Sequence, residues 1–313
     1  MNKKLNYGRT FLIGMAFMSI SSFWQVYDNI IPLILKNTFG LGETITGVVM
    51  ALDNVLALVL LPVFGSISDR VDTRLGKRTP FIIVGTPLAV TFMMKLPFAD
   101  KVQSLPWFVA ALFGALVSMG LYRSPAVALM PDLTPNNLRS KANAVINLLG
   151  AVGGVYSLIM IKVLVGEGNR PDYVPLFIGV AVFMVSAIVI LTVTIREKKL
   201  AAQIAREEAQ KKQNQAAQDN AVEEEIETKT KLTPEVKRSM IFMLLSIFFW
   251  FTAYNAVTTA FSRYTVEVWK LEGGDFADCL MVATVAAICS YIPIGFVAGR
   301  FGRKKTIMGG VVL

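Results

Sequence analysis

Eight long apolar runs divide the sequence, at about 10–35, 44–68, 80–98, 105–130, 142–165, 173–195, 239–265 and 275–299. Each approaches or exceeds the ~20 residues that a helix needs to cross the ~30 Å hydrocarbon layer. A ninth run starts at Thr306 and reaches Leu313. A soluble domain of this length would not carry eight such runs. The expected fold class is therefore an all-α polytopic membrane protein.

The formal net charge is +9, and its distribution decides what it means. With a cytoplasmic N-terminus, Lys3, Lys4, Arg9, Arg70, Arg74, Lys77, Arg78, Arg139 and Lys141 all face inward. So do the ten basic residues between 196 and 238, and Arg300, Arg303, Lys304 and Lys305. The other side receives only Lys36, Lys95, Lys101, Lys162, Arg170, Arg263 and Lys270. The positive-inside rule accounts for that asymmetry, so the basic balance points to topology and not to nucleic acid. The first apolar stretch is longer than the 7–15-residue core of a signal peptide, and no A-x-A cleavage site follows it. Cys279 and Cys289 lie ten residues apart in the eighth run. On one helix that is roughly 15 Å, too far for a mutual disulfide, and packing is their expected role.

Residues 197–236 differ from everything else, being rich in Ala, Gln, Glu and Lys and nearly free of aromatics. They read as a cytoplasmic connector, helical in its first half, between membrane segments at 1–196 and 237–313. The connector follows six spans, and an internal repeat brackets it. "GSISDRVDTRLGKRTP" after span two is answered by "GFVAGRFGRKKT" after span eight. Gly65 aligns with Gly295, Arg70 with Arg300, Gly76 with Gly302, and Lys77-Arg78 with Arg303-Lys304, while Asp69 becomes Gly299. A weaker echo links "FWQVYDN" in span one to "FWFTAYN" in span seven. A parallel repeat of six-helix units predicts twelve spans. By that count the sequence holds one complete half and an incomplete second one.

The repeated loop has a physical logic. Its glycines allow close helix approach or a tight exit, and its acid and bases can pair and separate at a membrane mouth. Topology alone would explain Arg74, Lys77 and Arg78, but not Asp69, the glycines or the second copy. The pattern resembles the signature loop of the major facilitator superfamily, whose bundle would cover the whole chain. The longer form from Asp69 to Pro80, D-R-x₅-G-K-R-x-P, is similar to that of the glycoside–pentoside–hexuronide:cation symporters and the related proton-coupled sucrose transporters. The segment "YRSPAVALMPDLTPNNLRSKANA" resembles theirs too, with Arg123, Pro131, Asp132 and Arg139 at matching positions.

That resemblance implies a secondary transporter that alternates access to a midplane site. Melibiose-type members carry an acid before the span-two proline, where it helps bind sodium. Leu61 stands there in this chain, as a neutral residue does in the sucrose type, which favours proton over sodium. Drug antiporters have a proline-containing glycine signature in span five. "GAVGGV" here, with Gly150 and Gly154, has no proline and reads as close helix packing.

Asp28 lies about eight residues below the outer end of span one, and Asp53 nine or ten below the outer start of span two. Antiparallel neighbours would hold both acids at a similar depth. A charged Asp at a helix centre costs ~2.5–3.5 kcal/mol on insertion scales, so two of them suggest use. Burial and a nearby like charge both disfavour the charged form of a carboxylate. With no histidine present, proton coupling falls to Asp28 and Asp53. The alternative is that they are hydrogen-bonded within the bundle, to Asn54 or Ser21. Asp69 and Asp132 sit at the cytoplasmic edge, where Arg70, Arg78 or Arg139 would pair with them in a gate.

Trp24, Tyr27, Trp250 and Tyr254 recur in the two echoing helices that the resemblance places around a central cavity. A pyranose stacks its apolar face on an indole and needs Asp or Asn for its hydroxyls. Asp28, Asn54 and Asn255 could supply those bonds, although lipid-facing packing would also explain the aromatics. The expected function is symport of a sugar or glycoside with a proton, with no cofactor, by a plasma-membrane protein that is monomeric when full length. Two alternatives stand beside it: a carrier of a non-sugar solute such as an organic acid or peptide, and a non-transporting sensor or scaffold with the connector as effector. No metal-ligand spacing or phosphate loop supports an enzyme.

Overall fold

The computed structural model describes residues 5–135, 138–168, 170–218 and 234–312. Ten helices run through them: α1 (Tyr7–Asn37), α2 (Glu43–Arg70), α3 (Thr79–Val102), α4 (Leu105–Asp132), α5 (Arg139–Leu164), α6 (Val174–Thr194), α7 (Glu197–Gln218), α8 (Pro234–Val268), α9 (Phe276–Phe301) and α10 (Arg303–Val312). The apolar runs become α1–α6, α8 and α9, and the polar connector opens as α7. Seven of these helices are long and apolar enough to cross a membrane, and α9 adds an apolar stretch over Phe276–Ser290. The all-helical expectation holds. Its boundary shifts slightly, since α8 starts at Pro234, inside the expected connector. The acidic patch of that connector lies outside the described residues.

The side chains sort as a lipid solvent requires. Leu58 of α2 and Val193 of α6 are 80% and 77% exposed, as suits helix faces turned to acyl chains. Between the helices, apolar burial gains little over lipid, so close packing of small residues holds them together. α1 is the hub and lies most extensively against α5. Along that seam a Cβ on Gly153 would come within 2.1 Å of the Met18 carbonyl oxygen, and one on Gly150 within 3.0 Å of Ser21 Oγ. The Ser22 and Ser157 hydroxyls bond at 2.5 Å, and Ser157 Oγ donates to the Ser22 carbonyl at 2.9 Å. Gly150 and Gly153 therefore serve helix approach, whereas a Cβ on Gly154 would meet only Gln25 Oε1, at an ordinary 3.5 Å.

α4 is fixed on both sides. Gly85 of α3 lies against the Tyr122 backbone, and the Tyr122 hydroxyl donates to the Ala16 carbonyl of α1 at 3.0 Å. Prolines interrupt α1 to α4 and α9; neighbouring helices in a membrane bundle can re-satisfy the freed carbonyls.

α8 and α9 meet this bundle through α1 and α5. In α8 only Ser262, Arg263 and Thr265 are buried among the described residues, all near its C-terminal end. The two groups of helices thus close on each other at the face away from Tyr7, here termed the far face.

Gly153→Val should overpack α1 against α5 and cost about 3 kcal/mol. Gly47→Ala, where a Cβ meets nothing within 4 Å, should be near neutral. Thermal unfolding of both variants in detergent checks the contrast; equal midpoints would remove the seam from the packing account.

Candidate functional site

α1 presents its polar residues in one band. Gln25, Asp28 and Asn29 are spaced three and one apart, which places them on a single helical face. They line a cavity of about 380 Å³ with Ala151 of α5, Tyr254, Asn255 and Thr258 of α8, and Thr284 of α9. Small-molecule sites span ~300–1,000 Å³, so this space suits a compact polar solute. Asp28 therefore shares one cavity with Tyr254 and Asn255, drawn from both sides of the repeat. Asn29 is 2% exposed; its Nδ2 donates to the Gln25 carbonyl at 2.8 Å, while its buried Oδ1 has no partner among the described residues.

Asp53 sits one helix over. It is half-buried beside Trp24 and Arg123, in a small crevice also lined by Leu56, Leu60 and Gly120. Arg123 projects from within α4, nine residues before Asp132. Its guanidinium lies 5.4 Å from the centre of the Trp24 ring, a cation–π contact. It is within electrostatic reach of both Asp53 and Asp28. The two acids thus share one cation. Sequence reasoning matched Arg123 to a family segment and gave it no role. A charge at membrane depth was the signal that could have found it.

The remaining predicted contacts divide. Trp24 is half-buried, edge-on to Phe23 and Tyr27, and its buried Nε1 has no partner among the described residues. Tyr27 is 3% exposed, and its hydroxyl donates to the Met50 carbonyl at 3.1 Å, tying α1 to α2. It does not line the cavity. Asn54 donates to Asp53 Oδ1 at 2.8 Å, the hydrogen-bond alternative rather than a free sugar contact. Trp250 is exposed and stacks on Tyr254 with ring centres 5.5 Å apart, outside the cavity lining.

At the face carrying the signature loop, the acids choose one base. Arg78 is buried; its Nε donates to Asp132 Oδ2 at 2.8 Å, its Nη1 to Ser68 Oγ at 2.5 Å, and its Nη2 to Asp69 Oδ1. Burial opposes the Arg78 charge, but the hydrogen bond and attraction of Asp132, with those of Asp69, outweigh it and hold its pKa above the ordinary arginine value. Arg139 does not pair with Asp132. It donates to the Pro131 carbonyl at 3.0 Å, one of the last carbonyls of α4, which need donors, and to the Thr134 carbonyl just beyond the helix at 3.3 Å. Arg70 and Lys77 are exposed.

The signature glycines differ in use. Gly65 stays helical and lets α2 approach Ser124 of α4, while Gly76 and its partner in the repeat, Gly302, both adopt positive φ, at 124° and 88°. That left-handed backbone suits glycine. Arg300 lies over the Phe301 ring. The surroundings of Gly295 and the side chain of Arg303 lie outside the described residues.

The far face is held by charge. Lys36 pairs with Glu43 and Glu267, and Arg263 of α8 pairs with Glu43 of α2. Lys162 of α5 meets Asp275 at 2.5 Å and Asp278 of α9 at 2.8 Å. Beside them Gly274 lies so close to α5 that a Cβ would come within 2.4 Å of the Ile161 carbonyl oxygen.

The family model of the Major Facilitator Superfamily matches residues 10–313. The chain belongs to that superfamily. Membership, with the apolar helices above, makes it an integral membrane protein of a transporter superfamily. It is 26% identical to an uncharacterized symporter of Synechocystis sp. over 177 residues, 52% of this chain and 32% of that protein. The match thus spans about a third of the curated relative's length. The crystal structure of a D-xylose-proton symporter superposes with a TM-score of 0.65 at 14% identity, covering 95% of this chain and 70% of the other. At that identity the likeness is one of fold.

Lys162→Glu turns two far-face attractions into repulsions. With Cys279 and Cys289 replaced by serine, a Thr284→Cys probe in the cavity should react faster with an impermeant maleimide added from that face. Exposed ion pairs are weak, so an increase of roughly threefold is expected. An unchanged rate would show that these pairs do not hold the helices together.

Proposed function

We propose that this protein is a secondary active transporter that moves a sugar or glycoside together with a proton by alternating access. The observation that carries the reading is the single cavity joining Asp28 of α1 to Tyr254 and Asn255 of α8. A site lined from both halves is the one that a rocking motion exposes to each side in turn. Its amide, hydroxyl and carboxylate groups suit a polyol, and Tyr254, stacked on Trp250, offers an aromatic face. Asp28 and Asp53 carry the proton, with Arg123 as the shared counter-charge whose partner changes as one acid is protonated. Names among the relatives, a symporter and a D-xylose-proton symporter, support the same assignment.

In this reading the halves are 1–196 and 237–313, joined by the connector 197–236. The N-terminus is cytoplasmic, the membrane is the plasma membrane, and a monomer acts without a cofactor. Arg78 with Asp69 and Asp132 forms the cytoplasmic gate. Arg123 also favours a second reading, a carrier for a carboxylate-bearing solute, because a guanidinium binds carboxylate well.

A panel of labelled sugars and organic acids, offered to vesicles holding the full-length protein under imposed proton or sodium gradients, separates the two. Proton-driven accumulation of a sugar supports the first reading, and accumulation of organic acids alone replaces it with the second. Asp53→Asn should abolish accumulation driven by a pH gradient while leaving substrate exchange in part; undiminished accumulation would take Asp53 out of coupling. Tyr254→Ala should raise the KM for the sugar roughly tenfold, the worth of one lost aromatic stack. A KM equal to that of the parent would return Tyr254 to packing.

A further inference from the structure

Glu197 is the first residue of α7 and only 4% exposed. A carboxylate is rarely so buried unless paired, and the groups it meets are those of the signature loop, some 120 residues earlier in the chain. Oε1 accepts from the Lys77 and Arg78 backbone N–H groups at 2.7 and 3.0 Å. Oε2 accepts from Arg78 N–H at 3.1 Å, and from the Thr79 N–H and hydroxyl, both at 2.7 Å. These donors open α3. The first N–H groups of a helix have no partner within it, and Arg78, at the N-cap position, supplies no side-chain cap of its own. Glu197 caps α3 from another helix, with its negative charge at the positive end of the helix dipole.

Two neighbours are shaped around this contact. A Cβ on Gly76 would lie 2.3 Å from Glu197 Cδ, so this glycine is needed for the space the carboxylate occupies as well as for its φ. Lys198 reaches both Asp72 carboxylate oxygens at 3.0 and 3.2 Å and the Thr73 carbonyl at 3.2 Å, fastening α7 to the loop a second time. Arg78 is therefore held twice. Its backbone is fixed by Glu197, while its guanidinium bridges Asp69 at the end of α2 and Asp132 at the end of α4.

We infer that Glu197 is the positioning residue of the gate: it fixes the Arg78 backbone so that the guanidinium can make, break and remake its bridge between α2 and α4. The connector is then part of the gate, because α7 begins at the residue that holds the loop. The inference rests on the gate reading of the signature loop given above.

Two measurements on the full-length protein test it. In Glu197→Ala, hydrogen exchange at the amides of Lys77, Arg78 and Thr79 should accelerate tenfold or more, while α4 and α5 keep their protection. Unchanged exchange at those three amides overturns the clamp, whatever transport does. In vesicles, Glu197→Gln and Arg78→Gln should each lower maximal transport velocity at least tenfold with KM for the sugar within twofold of the parent. The double variant should be no slower than the worse single one, since both act through one bridge. Multiplying defects, or a Glu197→Gln protein of normal velocity beside an impaired Arg78→Gln, overturn the positioning role alone. An Arg78→Gln protein of normal velocity overturns the gate reading and this inference with it.

Discussion

The close contact of α1 with α5 is the constraint on which the site depends. In lipid, apolar side chains gain little by leaving acyl tails for one another, so helices are held by fit and by interhelical hydrogen bonds. Gly150, Gly153 and the Ser22–Ser157 pair let the two backbones approach. Three helical positions beyond Ser22 the cavity face of α1 begins, with Gln25, Asp28 and Asn29. The depth and rotation of Asp28 follow from a seam that contains no functional group. Tyr27 adds a second reference by bonding the Met50 backbone, which sets α2, and with it Asp53, in register with α1.

Around that frame the charges are shared rather than paired off. Two carboxylates and one guanidinium occupy neighbouring crevices on α1, α2 and α4. Charge buried without compensation is costly, and Arg123 offsets one acid at a time. In the proposed coupling, the excess of one carboxylate over the available cation leaves room for a proton. The aromatic ring of Trp24 lies directly against that cation, so the α1 aromatics and the shared charge are packed as one unit.

Much of this was legible in the residues. Apolar runs of membrane-spanning length gave the helices, because no other regular element uses so long a continuous stretch. The repeated loop exposed its own geometry: Gly76 and Gly302, aligned by sequence alone, both adopt the left-handed backbone. Asp28 and the "YN" pair of span seven, drawn from echoing segments, line one cavity. What the residues did not disclose were contacts between side chains far apart in the chain. Asp69 and Asp132 had three candidate bases, and only the positions of the helix ends decide for Arg78. Glu197 looked like one acid among many in a polar connector, since nothing local marks a carboxylate whose donors lie about 120 residues away. The partner of the Tyr27 hydroxyl, the Met50 backbone, is equally unmarked in the residues, whereas the Asn54–Asp53 bond is one the sequence offered as an alternative.

The far-face pairs have a consequence for the medium the protein meets. Lys162, Asp275 and Asp278 are all more than a third exposed, as is Glu43, and attraction between such charges weakens as salt shortens the Debye length from ~10 Å at 0.1 M to ~3 Å at 1 M. The bonds around Glu197, by contrast, are buried and largely immune to added ions. The molecule is therefore asymmetric in its response to salt: concentrated electrolyte at the far face loosens that end while the opposite end keeps its grip. Ionic strength there becomes a thermodynamic variable that biases which side of the bundle is closed at rest.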